Sequence, residues 1–351
     1  MYKKLHMKTL ARHSKRALAW GLRHRNAVQS VVSLACLFPF GLVLAACADH
    51  EPTEPGATDT SRGSRDGFPV ELRGPCDAKT GIGGFKISLL AGYSSVGGEV
   101  ASGVVPGNIP EIVETVDNCR LLKKLVPFCD PACSPTETCD FNGECIPYPT
   151  NQDIGVVTIR GLEAPVEMEP REPGMNYFQA IDSKAHPIFV EESHIVFTST
   201  DGYLGKLELF GVGFASLEPL GDEWVVDSGK SLSIDWIPPA SPEYTSIHFD
   251  ISVDQHGTSP YRLVCDLADT GAAVIPSVMI DALLSAGVSG YPNGHLIRKT
   301  VDSSIHGEAC VQFEVVSPAD FDVRVAGTTP CDSDKDCPDG QTCDMIIHLC
   351  Q

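Results

Sequence analysis

Four residues in one short stretch have the types that acid–base or metal chemistry needs. His248, Asp250 and Asp254 alternate along the run SIHFDISVD, and His256 follows in the adjoining His-Gly turn. Period-two spacing puts the first three side chains on one face of a strand. An imidazole titrating near neutrality beside carboxylates can carry a proton or ligate a metal. The ordinary polar outer face of an antiparallel sheet gives the same pattern, and that reading is preferred. Asp332, Asp334 and Asp336 have the spacing with which a calcium loop opens. Such a loop needs glycine at its sixth position and glutamate at its twelfth, where this chain has Cys337 and Cys343. No cofactor is therefore expected, and calcium is kept as the weaker alternative. Gly229-Lys230-Ser231 imitates the end of a phosphate-binding loop, but Trp224 stands where glycine is required. Neither a G-x-S-x-G elbow nor an H-E-x-x-H pair occurs. Trp224, Tyr244, Tyr261 and Tyr291 could together offer an aromatic platform to a sugar or peptide, although core packing and scattered surface positions account for them more simply. No catalytic residue is assigned.

The elements that would position these groups read as strands. Ile247, Phe249, Ile251 and Val253 alternate with the polar set above. Leu232, Ile234 and Trp236 alternate likewise, as do Tyr261, Leu263, Cys265 and Leu267. Further strands are expected within 155–161, 195–199, 206–212, 295–301 and 311–316. Asp201-Gly202, Pro238-Pro239, His256-Gly257 and Asn293-Gly294 read as turns between them. One helix is expected, opening at Pro276, striped by Val278, Met279, Leu283 and Leu284, and ended by Gly287. Short strands in series predict a mainly β chain: an antiparallel β-sandwich over 151–327, immunoglobulin-like or jelly-roll-like but not standard. An immunoglobulin domain places its core tryptophan between two bridging cysteines, whereas Trp236 precedes both Cys265 and Cys310. Those two are nevertheless expected to bond, because no other cysteine lies in that unit. Residues 76–125 read as a smaller unit. In it Phe85, Ile87 and Leu89 mark a strand, Gly97-Gly98 a turn, and residues 109–125 a short helix. Cys76 and Cys119 flank that unit and are expected to close it.

The N-terminus decides the compartment. Residues 1–26 carry eight basic residues and no acid, and 27–46 are mostly apolar. This is the charged and then hydrophobic order of an export leader. The apolar run is also long enough to be an uncleaved anchor, but Gln29, Ser30, Ser33, Pro39 and Gly41 weaken it as a permanent span. Leu44-Ala45-Ala46-Cys47 closes the leader and resembles the lipobox of bacterial lipoproteins. The resemblance implies cleavage before Cys47, a diacylglycerol on its thiol, an acylated amino group, and anchoring in a membrane by lipid. Ala48 follows Cys47 rather than an aspartate. By resemblance to enterobacterial sorting, this implies an outer-membrane lipoprotein facing either the periplasm or the cell surface. Residues 47–75 are rich in Pro, Gly, Ser, Thr and charge and read as a flexible tether.

Removing the leader's eight basic residues takes the formal charge from −20 to −28. So acidic a chain repels nucleic acid and anionic lipid surfaces, and nucleic-acid binding is excluded. Twelve of the fourteen cysteines remain after Cys36 leaves with the leader and Cys47 is set aside. An even number in an exported chain reads as a disulfide framework. Eight lie in two short runs, within 126–150 and 328–351. Cys129, Cys133, Cys139 and Cys145 form the first, and Cys331, Cys337, Cys343 and Cys350 the second. The runs share C-x₅-C, a Thr-Cys-Asp tripeptide and turn residues, and resemble the EGF-like and dickkopf-type modules of secreted proteins. Four cysteines allow three connectivities, of which first-to-third and second-to-fourth is favoured. Zinc is excluded by spacing and by an oxidising compartment. The run CDLADTG, with the strands around it, resembles domains of bacterial exported lipoproteins and implies no mechanism.

These features predict a non-enzymatic envelope lipoprotein acting as an interaction, adhesion or structural module, with a protein or polysaccharide partner in the cell envelope. Two alternatives stand beside it: an exported hydrolase acting on polysaccharide, and a metal- or small-ligand-binding lipoprotein.

Overall fold

The computed structural model describes residues 64–65, 68–69, 71–180, 186–253 and 260–351. Contacts divide the chain into Met1–Ala57 and Thr58–Gln351, and everything described belongs to the second unit. The expectations for the leader, for Cys47, and for Asp254 and His256 lie outside the described residues.

In chain order, β1 (Ser64–Arg65) and β2 (Phe68–Pro69) form a small hairpin. Next come β3 (Gly81–Leu90), β4 (Tyr93–Val100), β5 (Glu111–Val116) and β6 (Cys119–Lys123). β7 (Glu137–Cys139) and β8 (Cys145–Pro147) belong to the first cysteine-rich module. They are followed by β9 (Val157–Arg160), β10 (Val166–Met168), β11 (Tyr177–Ala180), β12 (His194–Ser199) and β13 (Glu208–Val212). Then come β14 (Glu218–Pro219), β15 (Glu223–Val226), β16 (Leu232–Ile237), β17 (Ser246–Ser252), β18 (Tyr261–Ala268) and β19 (Ala272–Ile275). α1 (Ser277–Ser285) is the one α-helix among the described residues. The long strands β20 (Asn293–His306) and β21 (Ala309–Val325) precede β22 (Cys343–Asp344) and β23 (Leu349–Cys350) of the second module.

The chain is mainly β, and β20–β21 is its spine. The two strands pair without interruption from Asn293↔Asp322 to His306↔Ala309. Gly307, at φ +64°, supplies the left-handed residue of the two-residue loop between them. The largest sheet runs β11-β4-β3-β21-β20-β17-β18-β6-β5. On its outer side β21 pairs in parallel with β3 along its first half and with β15 along its last residues. Two hydrophobic cores are therefore strung along one hairpin. The first buries Phe85, Ile87, Phe313 and Val315 of the large sheet under Ile159, Phe197 and Leu209 of the four-stranded sheet β10-β9-β12-β13. The second buries Ile247, Phe249, Leu263 and Phe321 under Trp224, Trp236 and the Met279–Ile280–Leu283 stripe of α1.

Between the cores the inward row of the hairpin turns polar. Leu296 is followed, two residues at a time, by Arg298, Thr300 and Asp302, with Ser317 opposite Arg298. β13, the last strand of the four-stranded sheet, and the chain that leaves it towards β14 cross here. Phe210 N–H donates to Asp302 Oδ2 at 3.1 Å and Leu217 N–H to Ser317 Oγ at 2.9 Å. Arg298 Nη1 donates to the carbonyls of Ala215 and Ser216. Buried main-chain groups need partners, and these side chains supply them.

Several expectations are corrected. The segment 109–125 is not a helix but the β5–β6 pair at the end of the large sheet, and its Ile112, Val113 and Val116 are β-branched residues that favour a strand. Gly97-Gly98 lies inside β4, and Asn293-Gly294 opens β20, so neither is a turn. At Gly294 the missing side chain is a packing requirement, since a Cβ there would stand 2.5 Å from the Trp224 ring. The expected bridges Cys76–Cys119 and Cys265–Cys310 do not form. Cys76 bonds Cys310, and Cys119 bonds Cys265. The reason is strand order: Cys119 and Cys265 face each other across β6 and β18, while Cys310 opens β21 beside the start of β3. In both small modules the first cysteine bonds the third and the second bonds the fourth. Residues 76–125 and 151–327 are accordingly not separate folding units, because the former supply β3 and β4 to one core and β6 to the other.

Candidate functional site

The β17 side chains point as their alternation requires. Ile247, Phe249, Ile251 and Val253 are fully buried, while His248 and Asp250 lie on the outer face. They join neighbouring strands rather than each other. His248 Nδ1 lies 2.9 Å from Asp266 Oδ1 on β18, and Asp266 also meets Arg120 of β6 and Lys299 of β20, the latter at 3.5 Å. The hydrogen bond from His248 lowers the Asp266 pKa most, and Lys299 and Arg120 add to it; together they outweigh burial and bring it to about 2. Asp250 is covered by the Arg262 guanidinium. Each carboxylate is thus neutralised by cations on adjacent strands, which is what stabilises a sheet face. A cavity of about 700 Å³ opens over Asp266 and Lys299, bounded by Tyr244 and by Leu72 and Pro75 of the incoming chain.

The aspartates of the second module serve its backbone. Asp334 Oδ1 accepts the Cys343 N–H at 2.8 Å, and Asp336 Oδ2 accepts the N–H groups of Asp332 and Ser333. Asp332 accepts the Tyr291 hydroxyl, and His348 packs against the same ring, which seats the module on the body. Cys129, Cys133 and Cys139, and likewise Cys331, Cys337 and Cys343, cluster closely enough for a metal, but all six are in disulfides. An oxidised sulfur is not a thiolate ligand. The four aromatic candidates do not assemble into a platform. Trp224 is buried and stacked on Phe321 at 4.1 Å, Tyr261 lies under Lys123, Tyr291 holds the second module, and Tyr244 borders the cavity above Asp266.

A buried group that sequence reasoning missed is Asp269. Its carboxylate receives Trp236 Nε1 at 2.6 Å, Thr245 Oγ1 at 2.7 Å and Arg298 Nε at 2.7 Å. Asp269 and Arg298 are each 1% exposed. Every lone pair and donor that could be paired is paired, so this is a strut between β20 and β16 rather than a reactive centre. The available signal was Asp269 itself, a charged residue continuing the period-two row Leu263, Cys265, Leu267.

The end of the large sheet at β5 carries exposed apolar side chains. Ile112 is 57% exposed and Val113 is 49% exposed. A cleft of about 600 Å³ is lined by Ile109, Pro110, Ile112, Leu125 and Phe141 together with Lys79 and Glu111. Phe141 comes from the first cysteine-rich module, so the disulfides Cys129–Cys139 and Cys133–Cys145 fix one wall. Leu125 leads into Val126 and Phe128, which are 81% and 82% exposed. Apolar side chains beside charged ones are what protein-binding surfaces present. β5 itself is defended against strand addition: its pairing is interrupted between Ile112 and Glu114, and Glu111 and Glu114 flank the break. The cleft therefore offers side-chain contacts rather than a main-chain ladder.

No family model matches this chain, and no curated protein matches it. Among solved structures, the FN1–FN3 domains of chicken CNTN1 align over 64% of this chain and 68% of theirs, at 9% identity and a TM-score of 0.18. A structure described as "Structural basis for Dscam isoform specificity" aligns over 54% and 49%, at 8% identity and a TM-score of 0.12. Likeness at that level decides neither fold nor function.

Proposed function

We propose that this chain is an exported lipoprotein of the cell envelope, held by lipid on Cys47, whose folded body is a non-catalytic interaction module. The lipobox-like end of the leader supports the anchor. Twelve cysteines joined in six disulfides support an oxidising compartment. The observation that carries the interaction reading is the apolar cleft walled by Ile112, Leu125 and Phe141. Its occupant is the apolar side of a partner protein segment, since the chain's negative charge disfavours nucleic acid and anionic headgroups.

Two measurements test this. Mass spectrometry of the native protein should find Cys47 as the acylated first residue and no free thiol among the other twelve cysteines; an intact leader with reduced cysteines overturns the anchor. A photo-crosslinking residue placed at 112 in the living cell should give one discrete adduct to a single protein. The same residue at Ile305, an exposed apolar position on the hairpin tip, should give none, and Phe141→Glu should abolish the adduct at 112. No adduct at 112, or identical adducts at both positions, overturns the interaction reading.

A further inference from the structure

At the other end of the large sheet, the outer face holds a second concavity whose chemistry differs from that of the β5 cleft. The pairing of β11, β4, β3 and β21 brings Phe178, Gly97, Lys86 and Glu314 into one cross-strand row. The neighbouring row carries Glu99, Gly84 and Gln312. Two adjacent strands thus present glycine at diagonal positions on the solvent side, and the face is bare between them. Both glycines are required by the backbone: a Cβ at Gly84 would collide with the Gln312 carbonyl, and one at Gly97 would stand 2.8 Å from the Tyr177 carbonyl. Gly84 follows the register shift at the start of β3, where Gly83 takes φ +137°. The result is an open groove of about 770 Å³, within the size range of small-ligand sites. Three strand spacings separate Phe178 from Glu314, roughly 14 Å.

The walls decide what fits. Phe178 is 44% exposed, and its ring is held by the Arg171 guanidinium 5.3 Å from its centroid. Arg171 is fixed in turn by donating to the Phe178 carbonyl at 2.6 Å. Across the floor, Glu314 accepts Gln312 Nε2 at 3.1 Å and pairs with Lys86 at 3.3 Å, and Glu99 accepts Asn151 Nδ2 at 2.8 Å. Two carboxylates and two cations nearly cancel, so neither an anion nor a cation is selected. Carboxylate acceptors beside ammonium, guanidinium and amide donors suit groups that both donate and accept, namely hydroxyls. The half-exposed Phe178 ring offers apolar surface to the C–H side of a pyranose ring. The floor's main-chain groups are already used in the sheet, so an extended peptide gains no ladder here.

We propose that this groove binds a neutral oligosaccharide, with Phe178 under one ring and Lys86, Glu99, Gln312 and Glu314 on its hydroxyls. The role is recognition, not hydrolysis. It goes beyond the interaction reading and does not depend on the β5 cleft, so either can fail alone.

Calorimetric titration of the native protein, in a detergent without sugar headgroups, tests the proposal with cellohexaose, maltohexaose and chitohexaose as probes and a sulfated polysaccharide as control. At least one neutral hexasaccharide should bind. Phe178→Ala and Lys86→Ala should each weaken it about tenfold, while Val274→Glu, at an exposed position outside both clefts, leaves it unchanged. Phe178 and Lys86 are both about half exposed, so neither change removes core packing, and an unaltered thermal transition verifies the fold. No neutral saccharide bound at millimolar concentration, affinity indifferent to both variants, or binding of the sulfated polymer alone overturns it.

Discussion

At Asp266 three basic side chains from three different strands converge on one carboxylate. Its pKa, about 2, lies below the ordinary value of 3.8, with the His248 hydrogen bond as the leading cause. A lowered folded-state pKa stabilises the fold above the unfolded value, and the gain is lost as pH falls through the folded one. The side chain is 43% exposed, so solvent screening limits the gain to about 1 kcal/mol. Asp266→Asn should remove about that much at neutral pH and flatten the stability profile between about pH 4 and 2, read from urea midpoints. An unchanged acid limb would show that the network does not act in this way. Asp269 is the opposite case, because nothing screens it. Asp269→Ala leaves Arg298 buried and unpaired and Trp236 without an acceptor, and should cost about 3–5 kcal/mol by urea denaturation. Arg298→Met should cost nearly as much, since the carbonyls of Ala215, Ser216 and Ile237 lose their donor together. A loss below about 1 kcal/mol for either would mean that the pair is replaceable packing.

Among elements, the two kinds of disulfide do different work. Cys129–Cys139 and its three module counterparts close loops of 10 to 13 residues in segments with too little apolar surface for a core. Cys76–Cys310 spans 234 residues and ties the start of β3 to the start of β21. Cys119–Cys265 already closes the middle of that loop, so the chain-entropy scale assigns the outer bridge about 4–5 kcal/mol and a module bridge about 3. Paired Cys76→Ser and Cys310→Ser changes should lower the unfolding midpoint of the body, followed by Trp224 and Trp236 fluorescence. Paired Cys337→Ser and Cys350→Ser changes should leave that midpoint in place and instead raise hydrogen exchange within 331–350. A body midpoint that moves equally in both would show that the second module is part of the core. The β5 cleft belongs to the same scale, since Phe141 reaches it only because the first module is held shut.

For the molecule as a whole, the hairpin β20–β21 makes folding a single problem. Its first core needs β3 and β4, and its second needs β6, all from residues before 125. A fragment of residues 151–327 would expose the β21 edge that β3 covers and the β18 edge that β6 covers. Unpaired edges of this kind invite aggregation. That fragment should show no cooperative calorimetric transition, whereas residues 71–351 should show one. A sharp transition in the fragment would restore the boundary between 125 and 151.

By itself the sequence determined whatever is local. Period-two alternation aimed Ile247, Phe249 and Ile251 inward and His248 and Asp250 outward, because a strand has only two faces. Pro276 and Gly287 bounded α1 for reasons confined to one segment, although Val278 of the expected stripe is exposed and Ile280 is buried in its place. Which strands become neighbours was decided only in three dimensions. Cys265 meets Cys119 rather than Cys310, Gly97 and Gly294 are sites of close approach rather than turns, and Arg298 finds Asp269. Each of these depends on pairing between residues far apart in the chain, and alternation, which fixes a side chain's face, is silent about the strand beside it.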